Sequence, residues 1–443
     1  MTRFFHSRPG RWPALAVLGL LLGTAACTSD EELNNRAAGK TEATTAPAAP
    51  ATADASKPAP LRVNVFLELS GGMKGFMPVN TAATQPTEFQ DYVSQLASRT
   101  HSSPAVADAQ FLLALQDTPT VTSYKHFRDV VQGDTHEAAK GTELPDMLEN
   151  MLALPGAADK VNVVVSDFIY GPQDKSAIAL MKVRMTDALA TVSKKQLAVA
   201  MLASTSRFHG TFHPAVKTPQ KQLAVAGQPL PYYVWVIGPP ALVGRYLNEV
   251  TPGGGAQQAF FGLALPKVDY AAVLTQVKAG SPLAPGGEGS VSFATGEPST
   301  QLDVSDVKAG VEFTVALNLA QLPAAWRESA FLNKNLRARL NGGTVGIVPN
   351  SVQPVKDEAA LSAYTHTLRL RLTALPREAA TLQLALPAPE TPAWVAAWST
   401  QNDNQLSDPP HTYRLSDIVA GVRGAFPTPL PPVFTADFTL TQD

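Results

Sequence analysis

The chain has 443 residues, a formal net charge of −2 and a single cysteine, Cys27. One cysteine excludes an intramolecular disulfide and a zinc site built from several cysteines. The near balance of acidic and basic residues gives no electrostatic footprint for nucleic acid and no polybasic surface for anionic lipid, so we expect no nucleic-acid partner.

The N-terminus has the features of an export signal. Three arginines and no acidic residue occupy the first eleven positions, and a short apolar run follows at 14–26. A membrane-spanning helix needs about 20 apolar residues, and this run ends earlier. We therefore expect a cleaved signal peptide rather than a retained membrane span.

Cys27 directly follows the small residues Ala25 and Ala26. This pattern resembles the lipobox of bacterial lipoproteins, which implies that residues 1–27 are a lipoprotein signal peptide and that Cys27 carries a lipid anchor. The alternative is a discarded signal with an incidental cysteine.

The acids at 30–32 resemble the tag that sends some lipoproteins to the cell surface, although a merely solvated acidic start is also open. The expected location is the outer membrane of a bacterial envelope.

Residues 28–60 are rich in alanine, threonine and proline and contain almost no large apolar side chains. Such a segment cannot bury enough surface to offset the entropy of ordering, so we expect a tether with a reach on the order of 30 Å. The remaining length suits two domains, which we place at 61–252 and 253–443.

Apolar strand patterns alternate with amphipathic helical patterns in the first of these domains. The expected strands are 61–69, 109–115, 161–166, 197–203 and 232–238. The expected helices are 88–96, 143–154, 176–192 and 240–250. This alternation predicts an α/β fold, a doubly wound and mostly parallel sheet with helices on both faces.

Period-two alternation takes over after residue 253, following Pro- and Gly-rich breaks. It is clearest in the runs EFTVALNL (312–319), HTLRLRL (366–372) and 434–440. Half-buried antiparallel strands have this pattern. We therefore predict a β-rich, sandwich-like C-terminal domain, interrupted by a short helix after Ser416.

Three segments of the first domain, VFLELSGGMKGF, GTELPDMLENML and VNVVVSDFIYG, resemble the von Willebrand factor A-type domain in their order and spacing. In that family an acid and two serines after strand one, a threonine before a later helix and an aspartate after the fourth strand form a metal-dependent adhesion site. The resemblance implies metal ligands at Glu68, Ser70, Thr142 and Asp167. Gly72 takes the place of the second serine and has no side-chain ligand.

Physical chemistry supports a site at the same position. Open α/β sheets bind ligands at the carboxyl ends of their strands, where Glu68 and Asp167 are expected. Carboxylate and hydroxyl oxygens suit Mg²⁺ or another divalent cation. The alternatives are structural: Ser70 could shape a turn, Thr142 could cap a helix, Asp167 could cap a loop and Glu68 could pair with a basic residue.

Other motifs carry weaker hypotheses. His209 and His213 are spaced for one face of a helix or strand, but a zinc site needs further ligands. The residues 402–404 (Asn-Asp-Asn) lack the spaced acids of a calcium loop, so a solvated turn is favoured. Trp394 and Trp398 are expected in the core. We find no nucleophile elbow, Walker loop or dinucleotide fingerprint and assign no catalytic residue.

These patterns indicate an envelope-anchored lipoprotein that binds a protein partner through its A-type domain. The membrane is the second partner, through the lipid anchor. Two alternatives stay open: a metal-dependent hydrolase that uses the same strand-end crevice, and a metal-free structural scaffold.

Overall fold

The apolar run that follows the tether forms the first strand of a seven-stranded sheet. In the computed structural model, every residue of this strand except Arg62 is buried, because helices cover both faces of the sheet. The structure describes residues 59–81, 85–170, 179–253, 257–265, 267–273, 290–293, 299–356, 359–406 and 410–442. The predicted signal peptide and nearly all of the predicted tether lie outside the described residues.

The strands of the first sheet alternate with helices up to the fifth strand, as predicted, except that the second and third strands form an antiparallel hairpin. They are β1 (Leu61–Glu68), β2 (Val106–Leu115), β3 (Thr118–Thr122), β4 (Val161–Ser166), β5 (Ala198–Phe212), β6 (Leu223–Gly238) and β7 (Gln257–Phe261). Their order across the sheet is β3-β2-β1-β4-β6-β5-β7. The predicted α/β class is therefore confirmed.

The centre of the sheet is parallel, because β1 pairs in parallel with both β2 and β4. Strand β5 points the same way, but it is separated from β4 by the antiparallel strand β6. Residues 213–222 between β5 and β6 form a loop rather than a helix. A strand that returns through a short loop pairs antiparallel, which explains this departure from a uniformly parallel sheet.

Helices pack on both faces of the sheet. The α-helices of the described residues are, in chain order, α1 (Glu88–Ser102), α2 (Tyr124–Val131), α3 (Leu144–Leu152), α4 (Met181–Ala188), α5 (Ala190–Lys195), α6 (Pro240–Glu249), α7 (Ala324–Arg327), α8 (Ser329–Asn335), α9 (Ala393–Ala397) and α10 (Leu415–Gly424). Helices α1, α2 and α6 share one apolar core with the sheet, and α3, α4, α5 and α10 share the other. None of the helices in the described residues is long and apolar enough to cross a membrane.

The C-terminal region is rich in strands, as predicted. They are β8 (Tyr270–Val273), β9 (Ser290–Phe293), β10 (Gln301–Ser305), β11 (Val311–Leu317), β12 (Arg337–Leu340), β13 (Thr344–Ile347), β14 (Gln353–Pro354), β15 (His366–Ala374), β16 (Ala380–Leu386), β17 (Ser399–Thr400), β18 (Thr412–Tyr413) and β19 (Phe434–Gln442). One sheet has the order β12-β16-β19-β10-β9, and another has the order β13-β15-β11-β8 with β14 on β15. Phe313 and Phe438, one from each sheet, lie with ring centroids 6.5 Å apart in a shared core.

Residues on the C-terminal side of the predicted boundary at 252/253 also pack on the first sheet. Strand β7 lies after that boundary but pairs with β5 in the first sheet. Helix α10, the helix predicted after Ser416, packs on α4 over the same sheet. Trp394 is buried, as predicted, and its Nε1 donates a hydrogen bond to the carbonyl of Gln258 at 2.9 Å. The division into two domains stays a prediction, and these contacts show where C-terminal residues support the first sheet.

Candidate functional site

Two acidic residues meet at the carboxyl ends of neighbouring strands. Glu68 is the last residue of β1, and Asp167 directly follows the last residue of β4. Because β1 and β4 pair in parallel with Leu67 opposite Val165, both acids reach the same edge of the sheet. Glu68 is 3% exposed and Asp167 is 5% exposed, so both carboxyl groups are largely removed from water.

A separate segment brings the predicted threonine to this edge. Ala139 lies beside Ser70 in a parallel bridge: its amide donates to the carbonyl of Leu69 at 3.0 Å, and its carbonyl accepts from Gly71 at 2.8 Å. The chain therefore runs alongside the end of β1 before entering α3. This path carries Thr142 to the carboxylate of Glu68.

Hydroxyl groups surround the Glu68 carboxylate. Thr142 Oγ1 donates to Glu68 Oε1 at 2.8 Å, and Ser166 Oγ lies 3.3 Å from Glu68 Oε2. Ser70 also forms a side-chain hydrogen bond with Glu68. The N-cap of α3 is Glu143, and no side chain caps this helix end, so the Thr142 hydroxyl binds Glu68 rather than capping the helix. We refer to the polar side chains gathered here as the cluster: Glu68, Ser70, Thr142, Ser166 and Asp167. Ser166 had no role in the sequence analysis.

The structure thus brings together all four residues that were predicted as metal ligands, Glu68, Ser70, Thr142 and Asp167. Gly72 lies at the same cluster, because a Cβ at this glycine would lie 3.2 Å from Asp167 Oδ2 and 3.4 Å from Ser70 Oγ. A serine side chain would therefore crowd the two oxygens unless they moved by a few tenths of an ångström.

The electrostatics of the acid pair are unfavourable for two full negative charges. Burial raises the pKa of Glu68, and hydrogen bonds from Ser70, Thr142 and Ser166 oppose that rise. Burial and the neighbouring Glu68 carboxyl raise the pKa of Asp167 well above its usual range, while the amide of Ile169 opposes the rise. Within the described residues, no lysine, arginine or histidine forms an ion pair with either acid. A proton or a cation would relieve the repulsion.

The acid pair lies in an open cleft of about 510 Å³. One wall is the segment that leads into α3, and another is the loop between β5 and β6. Gln116 and Asp117, in the turn between β2 and β3, also line the cleft. The residues of these walls are Lys140, Gly141, Thr142, Glu143, Leu144 and Met147 on the first and His213, Ala215 and Lys217 on the second. The cleft is large enough for a side chain of a partner or for a small ligand.

An arginine holds the first wall in place. Arg184 of α4 donates to Asp146 Oδ1 at 2.9 Å and lies 3.5 Å from Glu143 Oε2, both at the start of α3. It also donates to the hydroxyl of Tyr170, three residues beyond Asp167. One side chain thus connects the segments that carry Thr142 and Asp167.

Of the two histidines in the sequence motif, His213 lines the cleft and His209 does not. Burial together with the nearby Lys217 lowers the pKa of His213, which favours the neutral imidazole. His209 lies within β5 next to Gly227. The described residues contain no group of three or more His, Cys, Asp or Glu side chains that could hold a metal, so the histidine pair has no further ligands there.

One sequence interpretation is wrong. The turn at 402–404 was expected to be solvated, but Asp403 and Asn404 are each only 4% exposed. Both side chains form hydrogen bonds with the loop between β5 and β6. No local pattern marked this contact, because the partners are more than 180 residues apart in the chain.

The donor set of the cluster fits a hard divalent cation. It offers carboxylate oxygens from Glu68 and Asp167 and hydroxyl oxygens from Ser70 and Thr142, which are the ligand types that Mg²⁺, Mn²⁺ and Ca²⁺ prefer. Asp167 Oδ1 accepts the amide of Ile169 at 3.0 Å, and Asp167 Oδ2 lies on the side of Ser70. The arrangement can bind a cation or share a proton between the two acids.

The raised pKa values predict how stability depends on pH without divalent cations. The ordinary pKa values of Glu68 and Asp167 are 4.5 and 3.8, and the folded state keeps its protons to higher pH. The free energy of unfolding should therefore fall as pH rises from about 4 through the raised folded pKa values, by up to about 1.4 kcal/mol per pH unit for each proton. Asp167→Asn should flatten this fall when urea unfolding is measured in EDTA.

The matched control is Asp108→Asn, which removes an exposed carboxylate of β2 far from the acid pair. It should retain the pH dependence of the wild-type protein. Parallel curves for wild type and Asp167→Asn would show that the acid pair does not hold a raised pKa.

Comparisons with known proteins give no relative on which to base a function. No protein-family model, no curated protein and no solved structure matches the chain. A proposal about function therefore depends on the residues and geometry of the cleft.

Proposed function

We propose that this chain is a lipoprotein of the bacterial envelope that binds a protein partner at the strand-end cleft, through a divalent cation held by the acid pair. The observation that carries the proposal is the pair itself. Glu68 and Asp167 are buried at the floor of an open cleft, with hydroxyl groups around them and no ion-pair partner among the described residues. A buried charge without a partner costs on the order of several kcal/mol, so a bound cation would stabilise the folded state.

The A-type resemblance gains support from the same geometry. An acid and a serine after the first strand, a threonine before α3 and an aspartate after β4 converge at one edge of the sheet. Asp167, Glu68, Ser70 and Thr142 would hold the cation. When bound, the cation would neutralise the acids and offer a coordination position to an acidic side chain of the partner.

The position of the cleft suits an anchored receptor. The described chain begins at Ala59, beside the start of β1, whereas the cleft lies at the other end of that strand. Eight strand residues span about 26 Å at 3.3 Å per residue. A tether from an acylated Cys27 would therefore join the fold at the end of β1 remote from the cleft. The acids at 30–32 favour the cell surface as the location.

A metal-dependent hydrolase is the second candidate, and His213 is the observation that favours it. A neutral imidazole in the same cleft as two carboxylates could act as a general base. Binding is the preferred proposal, because no hydrogen bond in the described residues joins His213 to Glu68 or Asp167 and so holds the general base at the cation position.

A thermal titration tests the cation. The melting temperature of the wild-type protein should rise with millimolar Mg²⁺, Mn²⁺ or Ca²⁺, because a cation that binds only the folded state stabilises it by about 2.7 kcal/mol at 100 times its dissociation constant. Asp167→Asn should abolish the rise, and Asp108→Asn should keep it. A flat titration of the wild-type protein with all three cations would instead support the metal-free scaffold.

The anchor has its own test. Wild-type protein expressed in a Gram-negative host should incorporate labelled palmitate and sediment with the membranes. Cys27→Ala should do neither, because no other cysteine is present to accept the thioether-linked lipid. Recovery of the wild-type protein as a soluble, unacylated species that starts after residue 27 would contradict the proposed anchor.

A further inference from the structure

The second wall of the cleft is held by side chains from a distant part of the chain. This wall is the loop between β5 and β6. Asp403 Oδ2 accepts a hydrogen bond from the amide of Ala215 at 2.7 Å, and Asp403 Oδ1 accepts one from the amide of Val216 at 3.0 Å. Both carboxylate oxygens are thus used to fix two successive backbone amides.

Asn404 fixes the same loop at a second point. Its Oδ1 accepts from the amide of Gln220 at 3.2 Å, and its Nδ2 donates to the carbonyls of Val216, at 2.6 Å, and Gln220. We refer to Asp403 and Asn404 together as the clasp. Charge-assisted and buried hydrogen bonds of this kind are strong enough to hold a loop in one conformation.

The clasped loop contributes a lysine and a histidine to the lining of the cleft. Lys217 and His213 are exposed and line the cleft, and the Lys217 ammonium also donates to the carbonyl of Pro214. Lys140, on the opposite wall, is exposed too. The floor of the cleft is therefore acidic. The first wall carries Lys140 together with Glu143, and the second wall carries Lys217.

We propose that the clasped loop is the specificity-determining wall of the cleft, and that Lys217 contacts the carboxylate group of the bound partner. Asp403 and Asn404 are positioning residues, which act through the placement of Lys217. The inference rests on the proposed function, since a cation on the floor must first neutralise Glu68 and Asp167.

The charge distribution explains the choice of a carboxylate. With the acid pair neutralised by a divalent cation, Glu143 offsets Lys140 on the first wall, whereas Lys217 leaves the second wall positively charged. An acidic side chain could place one oxygen on the cation and the other near the Lys217 ammonium. A neutral side chain would make no charge-assisted contact with that ammonium, and a basic side chain would be repelled by it.

Peptide binding to the full chain, in detergent and saturated with Mn²⁺, tests the role of Lys217. A fluorescent oligoglutamate peptide should bind the wild-type protein, as measured by anisotropy. Lys217→Gln should weaken this binding roughly tenfold, the effect of losing one charge-assisted hydrogen bond. Lys221→Gln is the matched control, because Lys221 is an exposed lysine of the same loop outside the cleft.

A double-mutant cycle tests the positioning role of the clasp. Asn404→Ala should weaken oligoglutamate binding as much as Lys217→Gln does, and the double variant should lose no more than either single variant. Losses that add in the double variant would contradict action through Lys217. Lys217→Gln changes an exposed side chain, so it keeps the inference testable if Asn404→Ala does not fold.

The melting temperature measured with Mn²⁺ distinguishes a failure of this inference from a failure of the proposed function. If Mn²⁺ stabilises the protein but oligoglutamate does not bind, or Lys217→Gln binds it as tightly as Lys221→Gln, the inference is wrong and the cation site stands. If Mn²⁺ gives no stabilisation, the proposed function fails and the inference fails with it.

Discussion

Two carboxyl groups buried side by side at the ends of parallel strands are the constraint around which the site is built. Because β1 and β4 are neighbours in register, the backbones at Glu68 and Asp167 are held at the same edge of the sheet. Three hydroxyl groups around Glu68 partly replace the water that burial removes. The remaining repulsion is an electrostatic penalty that a cation or a proton can relieve.

The rest of the structure holds that pair open to ligands. Arg184 fixes the start of α3 and the segment after Asp167, and the clasp fixes the loop on the opposite side. Long-range hydrogen bonds, from a helix in one case and from the turn at 402–404 in the other, keep these segments in place better than a loop could alone. The C-terminal part of the chain therefore contributes to the site as well as to the strand-rich core.

The sequence predicted those parts of the fold that leave a local pattern. The apolar run of β1 and the period-two strands of the C-terminal region have regular burial, and the structure has them in the predicted places. Four site residues could be selected because a family resemblance ordered them along the chain. Their convergence then follows from the parallel pairing of β1 and β4.

The parts that escaped prediction depend on contacts between distant residues. The extension of β5 and β6 into an antiparallel hairpin is fixed by pairing across the sheet rather than by either strand alone. Asp403 and Asn404 are polar residues in a turn, and only their burial against a loop 188 and 184 residues away reveals a structural role. Ser166 likewise ends a buried strand, and its bond to Glu68 depends on the neighbouring strand.

Anomalous diffraction from crystals grown with Mn²⁺ would test the cation site most directly. The account predicts an anomalous peak about 2.1 Å from a carboxylate oxygen of Asp167, with the hydroxyl groups of Ser70 and Thr142 turned towards it. The contradictory result is a map with no peak at this edge of the sheet, in which Thr142 keeps its 2.8 Å hydrogen bond to Glu68.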